Sequence, residues 1–133
     1  MTETHDEALR GAVVGFLTQH ANAVGQPFSR VDLSFTADDG AALVGGLIAR
    51  ITQGWMYIEL LGVSDAARGK GWGRQLMRAA EAEARARGLT GIWLDTYTFQ
   101  APGFYTALGF EEFGRIEDYP EGEARIFFRK RLG

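Results

Sequence analysis

Apolar and polar residues alternate with two different periods along this chain, and these periods predict its helices and strands. Near the N-terminus, apolar residues recur at helical spacing, and Thr4 followed by Glu7 forms a capping box that predicts the start of a helix. His20 falls on the apolar face, so we expect this histidine to be partly buried and structural. The apolar residues that define this face are Leu9, Val13, Phe16, Leu17 and Val24.

The next segment predicts an antiparallel meander of three strands. Residues 31–35 alternate between apolar and polar, which is typical of a half-buried strand. Residues 41–51 are apolar on both faces, as expected of a central strand, and residues 55–63 form the third strand. Asp39-Gly40 and Gln53-Gly54 supply residues that suit the turns between them.

From residue 64 onward, predicted helices alternate with strands. A strand, a helix and a second strand in succession form a right-handed crossover, which places the two strands parallel. The sequence therefore predicts an α/β (α+β) fold with a single mixed sheet, mostly antiparallel, with one parallel strand pair and helices on both faces. The predicted elements are a helix over 72–87, a strand over 92–97, a short helix over 102–108 and strands over 112–116 and 125–131.

Length, composition and charge narrow the class of protein. With 133 residues, 46% of them hydrophobic, the chain suits a single folded domain over residues 1–133. It has no cysteine and two histidines, both in the N-terminal segment, so we expect neither disulfides nor a metal site. The net charge of −3 disfavours nucleic-acid binding. The apolar runs are too short to span a bilayer and the N-terminus is acidic, so we expect a cytoplasmic protein without a membrane partner.

A basic, glycine-rich loop stands between the strand over 55–63 and the helix over 72–87. Residues 68–74 have the sequence Arg-Gly-Lys-Gly-Trp-Gly-Arg. Free N–H groups at a helix N-terminus attract anions, and glycines let the backbone approach a phosphate closely. Two nucleotide motifs do not match, because a Walker loop needs Ser or Thr at Gly71 and a dinucleotide fingerprint needs Gly or Ala at Arg74. The loop therefore predicts a phosphate site of another kind.

The pattern Arg-x-x-Gly-x-Gly is complete at Arg68, Gly71 and Gly73. Together with Ile-Glu-Leu-Leu-Gly-Val at 58–63 and Phe-Tyr-Thr-Ala-Leu-Gly-Phe at 104–110, it resembles the GNAT superfamily of acetyl-CoA-dependent N-acetyltransferases. The resemblance runs from about residue 55 to residue 110. It implies acetyl-CoA as cosubstrate and direct attack of a primary amine on the thioester, with no metal and no covalent enzyme intermediate.

The resemblance also implies which residues hold coenzyme A. In this family the loop and the helix start bind the pyrophosphate, and the preceding strand pairs with the pantetheine arm through its main chain. The backbone near Leu61 is expected to polarise the thioester carbonyl. Many relatives have an Asn where this chain has Thr98, and we expect Gln100 to take over its contact. The expected cofactor-binding residues are Leu61, Gly62, Val63, Arg68, Gly69, Lys70, Gly71, Trp72, Gly73, Arg74 and Gln100.

A catalytic set follows from the same resemblance. Tyr105 corresponds to the family tyrosine that faces the sulfur and protonates the departing thiolate. An alkylammonium acceptor must also lose a proton before it attacks, so a base is required. The residues themselves indicate Glu59, a carboxylate in an otherwise apolar strand that is expected to share a face with Tyr57 and Leu61, because an acid there is costly unless it is solvated or paired. Glu59 ranks above Asp95, a strand carboxylate that some relatives use. For both carboxylates, an ion pair with a basic neighbour is the alternative.

Charge and exposure predict the acceptor and the partners. Acidic residues are dense over 117–123, which predicts a cationic acceptor such as a polyamine, an aminoglycoside-like amine or a lysine side chain. Apolar residues 126–128 predict an exposed patch that would suit a homodimer. Two other functions stay open: a non-catalytic acyl-CoA-binding or regulatory module, which would need neither Tyr105 nor Glu59, and a nucleic-acid-binding domain that uses the basic residues of 68–78.

Overall fold

The computed structural model describes residues 6–133 and contains one six-stranded sheet with flanking helices. The helices are α1 (Glu7–Ala23), α2 (Trp72–Ala86) and α3 (Gly103–Ala107), and a 3-10 turn covers Asp65–Ala67. The strands are β1 (Val31–Asp38), β2 (Leu43–Thr52), β3 (Trp55–Val63), β4 (Gly91–Tyr97), β5 (Glu111–Glu117) and β6 (Ala124–Arg131).

The strands follow the spatial order β1-β2-β3-β4-β6-β5. The meander β1–β2–β3 is antiparallel, β3 pairs with β4 in parallel, and β6 is antiparallel to both β4 and β5. Helix α2 makes the crossover between the two parallel strands, as the alternation of strand, helix and strand predicts. The predicted fold class, a mixed and mostly antiparallel sheet with one parallel pair, is confirmed.

Helix α2 is anchored to the sheet by an apolar stripe at helical spacing. Its buried residues join the side chains of the inner strands in one core, where each large aliphatic side chain contributes about 1.5–3 kcal/mol by burial. This packing fixes the N-terminus of α2 beside the end of β3. The buried stripe of α2 consists of Leu76, Met77, Ala80 and Ala84, and the largest fully buried strand residues are Leu47, Met56, Ile92 and Leu94.

Helix α1 begins one residue after Asp6, which is its N-cap. The Asp6 carboxylate accepts hydrogen bonds from the backbone N–H groups of Ala8 and Leu9 at 2.9 and 3.1 Å. These contacts satisfy donors that the first helical turn leaves free. Thr4, the predicted first member of a capping box, lies outside the described residues.

The apolar face of α1 is open to solvent. Phe16 is 68% exposed, and Ala21 is the buried residue of this helix. His20 is exposed as well, so the expectation of a partly buried histidine is wrong. The sequence pattern describes the face correctly but cannot say whether another element covers it.

Strand β6 lies between β4 and β5, and this position overturns the predicted patch at 126–128. Ile126 and Phe128 are each 3% exposed because they face the core. Only Phe127 of these three residues points to the other side of the sheet. The expected exposed patch is therefore wrong, and the homodimer stays a prediction without support from this segment.

Candidate active site

A gap opens between the two parallel strands where β3 leaves β4. Their pairing runs from Trp55 opposite Gly91 to Ile58 opposite Leu94 and stops there, although β3 continues to Val63. A cavity of about 840 Å³, here called the gap cavity, lies at this opening. The main chain at the end of β3 is thus an unpaired strand edge, which can pair with an extended ligand.

A β-bulge marks the point of separation. The register between β3 and β2 shifts so that Glu59 is the extra residue on β3. Because a bulge inverts the alternation of faces, Leu61 packs against the core while Tyr57 lies on the opposite face from buried Ile58. The expectation that Tyr57, Glu59 and Leu61 share one face is therefore wrong. The Glu59 side chain lines a second cavity of about 340 Å³, here called the carboxylate cavity.

The loop between β3 and α2 forms a cradle of backbone groups. Gly69 and Gly71 have φ of +78° and +84°, a region that glycine adopts without strain. A Cβ atom built on either residue would meet no protein atom within 4 Å, so both face open space. Gly71 caps α2 without a side-chain hydrogen bond, which leaves the N–H groups of the first turn for a ligand. These features fit an anion such as pyrophosphate.

The predicted cofactor-binding residues fall into two neighbouring cavities. Leu61, Gly62, Val63, Arg68, Gly69 and Gln100 line the gap cavity. Gly71, Trp72, Gly73 and Arg74 line an adjacent cavity of about 550 Å³, which also includes Arg68 and Gly69. Lys70 is exposed and lines neither of these two cavities.

Tyr105, on α3, lies where the gap cavity and the carboxylate cavity meet. Its ring packs against three phenylalanines, with centroid distances of 5.1 Å to Phe104, 6.3 Å to Phe110 and 5.9 Å to Phe128. Burial raises the pKa of Tyr105 above its ordinary value, and the charge of Asp95 adds to the rise. The phenol therefore keeps its proton at neutral pH.

Asp95 is held by two partners. The Tyr57 hydroxyl donates to Oδ2 at 2.8 Å, and Arg125 Nε donates to Oδ1 at 3.0 Å. Arg125 Nη2 forms an ion pair with the same oxygen, at 2.8 Å. The Asp95 side chain is only 11% exposed. Burial, followed by the hydrogen bond to Asp95, raises the pKa of Tyr57 to about 12. Both oxygens of the Asp95 carboxylate therefore already accept hydrogen bonds from Tyr57 and Arg125.

Glu59 is the less constrained carboxylate of the two. Arg50 Nη1 lies 4.0 Å from Glu59 Oε2, and the two side chains are 35% and 43% exposed. An exposed contact of this length contributes at most about 1 kcal/mol. Arg50 also lies over the Tyr57 ring, 4.8 Å from its centroid. Glu59 can therefore exchange this contact for an incoming group at little cost.

The residue at the family's Asn position faces away from the gap. The Thr98 hydroxyl donates to the Glu123 carboxylate and accepts from the Ala124 N–H at 3.0 Å, so it holds the turn between β5 and β6. Gln100 lines both cavities, and its contact with the pantetheine stays a prediction.

Several residues at this site were not predicted from the sequence. Tyr97 stacks between Phe99, at 5.1 Å, and Tyr119, at 5.9 Å, and Arg125 Nη1 donates to the Tyr119 hydroxyl at 3.2 Å. Alternation places Tyr97 and Asp95 on one face of β4, but only the pairing of β4 with β6 brings Arg125 to that face. The alternation along β4 therefore predicts the shared face of Asp95 and Tyr97 but not their contact with Arg125.

Residues 6–133 contain neither a cluster of metal-ligating side chains nor a helix that could span a membrane. No group of three or more His, Cys, Asp or Glu side chains in this range is placed to hold a metal ion. No helix in the same range has the length and apolarity needed to cross a membrane.

The chain belongs to the GNAT family of acetyltransferases, since the model of the "Acetyltransferase (GNAT) family" matches residues 6–110. It is an acetyl-CoA-dependent acetyltransferase. The residues of the gap and the loop fit this cosubstrate, because they offer an unpaired strand edge and a glycine cradle at a helix N-terminus.

Individual relatives agree with this assignment. The blasticidin-S acetyltransferase of Streptomyces morookaense is 39% identical over 74% of this chain and 74% of its own. The crystal structure of an acetyltransferase from Bacillus cereus is 30% identical, covers 99% of this chain and 97% of its own, and has a TM-score of 0.85. A Bacillus anthracis structure in complex with acetyl coenzyme A is 22% identical over 76% of this chain and 62% of its own, with a TM-score of 0.69, and shows the fold alone.

Proposed function

We propose that the protein transfers the acetyl group of acetyl-CoA to a primary amine by direct attack, with Tyr105 as general acid and Glu59 as general base. The observation that carries this proposal is the meeting of a half-buried, protonated phenol and a loosely held carboxylate on one cavity beside the β3–β4 gap. Acetyl-CoA supplies a thioester carbonyl that is already activated toward an amine.

The chain's own residues hold the cosubstrate in two places. The main chain of Leu61 to Val63 pairs with the pantetheine arm as an added strand, and the N–H near Leu61 polarises the thioester carbonyl. The loop through Gly69 and Gly71 and the first turn of α2 hold the pyrophosphate. The edge of β3 is free for this pairing because its pairing with β4 stops at Ile58, and the space beside the face of Gly62 is open as well.

Two protons move during the reaction. Glu59 accepts a proton from the incoming ammonium group at its carboxylate, and Tyr105 donates its phenolic proton to the departing thiolate. Asp95 is a positioning residue in this account, because Tyr57 and Arg125 occupy its oxygens. Its charge also raises the pKa of Tyr105 and so keeps the acid protonated.

Glu59→Gln should lower kcat/KM roughly 10²-fold near neutral pH, and the loss should shrink as the pH approaches about 10, where a free amine no longer needs a base. Because the pKa of Tyr105 is raised above its ordinary value, the acid stays protonated over this range and does not mask the recovery. Steady-state pH profiles of the parent and the variant measure the effect.

Asp95→Asn is the matched control for this experiment. It removes the charge that Arg125 binds and that raises the pKa of Tyr105, so it should lower thermal stability and cause a loss of kcat/KM that does not shrink as the pH rises. If Asp95→Asn recovers at high pH and Glu59→Gln does not, the two roles are reversed.

The acceptor in this proposal is a cationic amine. Tyr119, in the acidic turn between β5 and β6, stacks on Tyr97, which lines the carboxylate cavity, so this turn lies near the cavity. The charge of Arg125 is offset by Asp95 and does not oppose a cation there.

A panel of acceptors tests this proposal through release of free thiol from acetyl-CoA. Polyamines, aminoglycosides and lysine peptides should exceed neutral and anionic amines in kcat/KM by about tenfold or more, with a difference that shrinks as salt screens the acidic turn. A panel in which neutral or anionic amines react fastest would rule out a cationic acceptor.

A further inference from the structure

A smaller cavity lies between α2 and α3, apart from the gap and the carboxylate cavity. Its volume is about 240 Å³, and it opens beside the first two turns of α2. It shares Arg74 with the cavity of about 550 Å³ at the loop, whereas Arg78, Glu81 and Lys130 have no part in the acetyl transfer or the pyrophosphate cradle described above. We call it the α2–α3 pocket, and its charged lining residues are Arg74, Arg78, Glu81 and Lys130.

Lys130 and Glu81, two of the charged residues of this pocket, form an ion pair. Lys130 Nζ lies 2.7 Å from Glu81 Oε1 and also donates to the carbonyl of Leu108 at 2.9 Å, which ties β6 to the end of α3. The other carboxylate oxygen of Glu81 accepts from Arg85 Nε at 3.2 Å. Glu81 is therefore fully engaged and is not free to pair with a further arginine.

The two arginines of the pocket carry charges that are not compensated. Arg74 and Arg78 are four residues apart on α2, so both side chains lie on the same helix face, about 6 Å apart along the axis. Both are exposed, and within residues 6–133 neither has a carboxylate within salt-bridge distance. Two guanidinium groups beside one cavity favour a ligand with two negative charges, such as a phosphomonoester.

The position of the pocket next to the pyrophosphate cradle indicates which phosphomonoester it could bind. Arg74 lies in the first turn of α2, three residues after Gly71 of the pyrophosphate cradle, and Arg78 lies one turn further. In coenzyme A a single ribose separates the pyrophosphate from the 3′-phosphate, so a ligand held at the cradle carries a second anionic group within reach of this pocket.

We propose that the α2–α3 pocket binds the 3′-phosphate of coenzyme A, with Arg78 as the residue that distinguishes coenzyme A from its 3′-dephospho form. The inference rests on the proposed binding of the pyrophosphate by the loop. It adds a specificity-determining residue outside the Arg-x-x-Gly-x-Gly pattern. Lys130 and Glu81 act as the neutral floor of the pocket and keep α3 against α2.

Calorimetric titration with coenzyme A and with 3′-dephospho-coenzyme A tests this assignment. The parent should bind coenzyme A about tenfold more tightly than the dephospho form, and Arg78→Gln should lose most of that preference while its affinity for the dephospho form stays the same. Glutamine is a good helix former and Arg78 is exposed, so the variant should fold like the parent. Arg87→Gln, which removes a charge paired with Glu83 at the other end of α2, is the control and should change neither affinity.

Three results would overturn the assignment. Equal binding of the two ligands by the parent would show that no protein group contacts the 3′-phosphate. A loss in Arg78→Gln that affects both ligands equally would show that Arg78 acts through general charge. A parent that binds neither ligand would contradict the pyrophosphate cradle as well, so it can be told apart from a failure of the pocket alone.

Discussion

Gly71→Val should abolish the binding of coenzyme A to a chain that still folds. Gly71 caps α2 at φ +84° with open space on its Cβ side, so a valine side chain would project into the region where the pyrophosphate is expected. A ligand at about 100 times its Kd stabilises the parent by about 2.7 kcal/mol, which for a chain of this size raises Tm by roughly 10 °C. Thermal melts with and without acetyl-CoA should show this rise in the parent and none in the variant.

A second glycine separates backbone strain from loss of the ligand. Gly25 also has a left-handed φ, +75°, with nothing within 4 Å of a Cβ atom, and it follows the end of α1 away from the loop. The strain of a left-handed valine, about 1–2 kcal/mol, should therefore destabilise Gly25→Val and Gly71→Val to a similar extent. Gly25→Val should nevertheless keep the full rise in Tm with acetyl-CoA. If folded Gly71→Val shows the parent's shift, the loop does not hold the pyrophosphate.

Tyr105→Phe should reduce kcat by about 10²–10⁴-fold while leaving the affinity for coenzyme A within a few-fold of the parent. Phenylalanine keeps the ring and its packing against Phe104, Phe110 and Phe128, so the core is preserved. The variant lacks only the proton donor, which is needed as the carbon–sulfur bond breaks. Steady-state kinetics with a good acceptor, together with a binding titration, measure both quantities.

Slow product release could hide this effect in the steady state. A single-turnover experiment with enzyme in excess isolates the chemical step. Equal single-turnover rates for the parent and Tyr105→Phe would mean that Tyr105 only packs within α3 and that another group protonates the thiolate.

Local sequence patterns predict the fold class and the position of the glycine-rich loop between β3 and α2. The order of strand, basic glycine loop and helix is contiguous in the chain, and a right-handed crossover leaves one way to place the two strands. The start of α2 at Trp72 follows from the same few residues. Such features can be predicted because they depend on near neighbours in sequence.

Features that depend on cross-strand register were not predictable in this way. The bulge at Glu59 arises because β3 carries one residue more than β2 along their shared edge, and a sequence read alone places Leu61 on the wrong face. The pairing of Asp95 with Arg125 likewise requires β6 to lie beside β4, thirty residues further along the chain.

The predicted burial is wrong for strand β6 and for helix α1, because the sequence pattern does not show which other element packs on each face. Ile126 and Phe128 were expected at the surface, yet the insertion of β6 between β4 and β5 turns them into the core. The face of α1 with Phe16 and His20 was expected to pack and is exposed instead. Amphipathic patterns define a face, and tertiary contacts decide its environment.

The most direct test of the account follows the acetyl group itself in a single turnover. With enzyme in excess over acetyl-CoA that carries a labelled acetyl group, and with a saturating cationic amine, rapid quenching should show the label passing to the amine in one phase. Free thiol should appear at the same rate, and no label should remain on the protein. Labelled protein that forms before the product, or thiol release that does not require the amine, would contradict direct transfer in the β3–β4 gap.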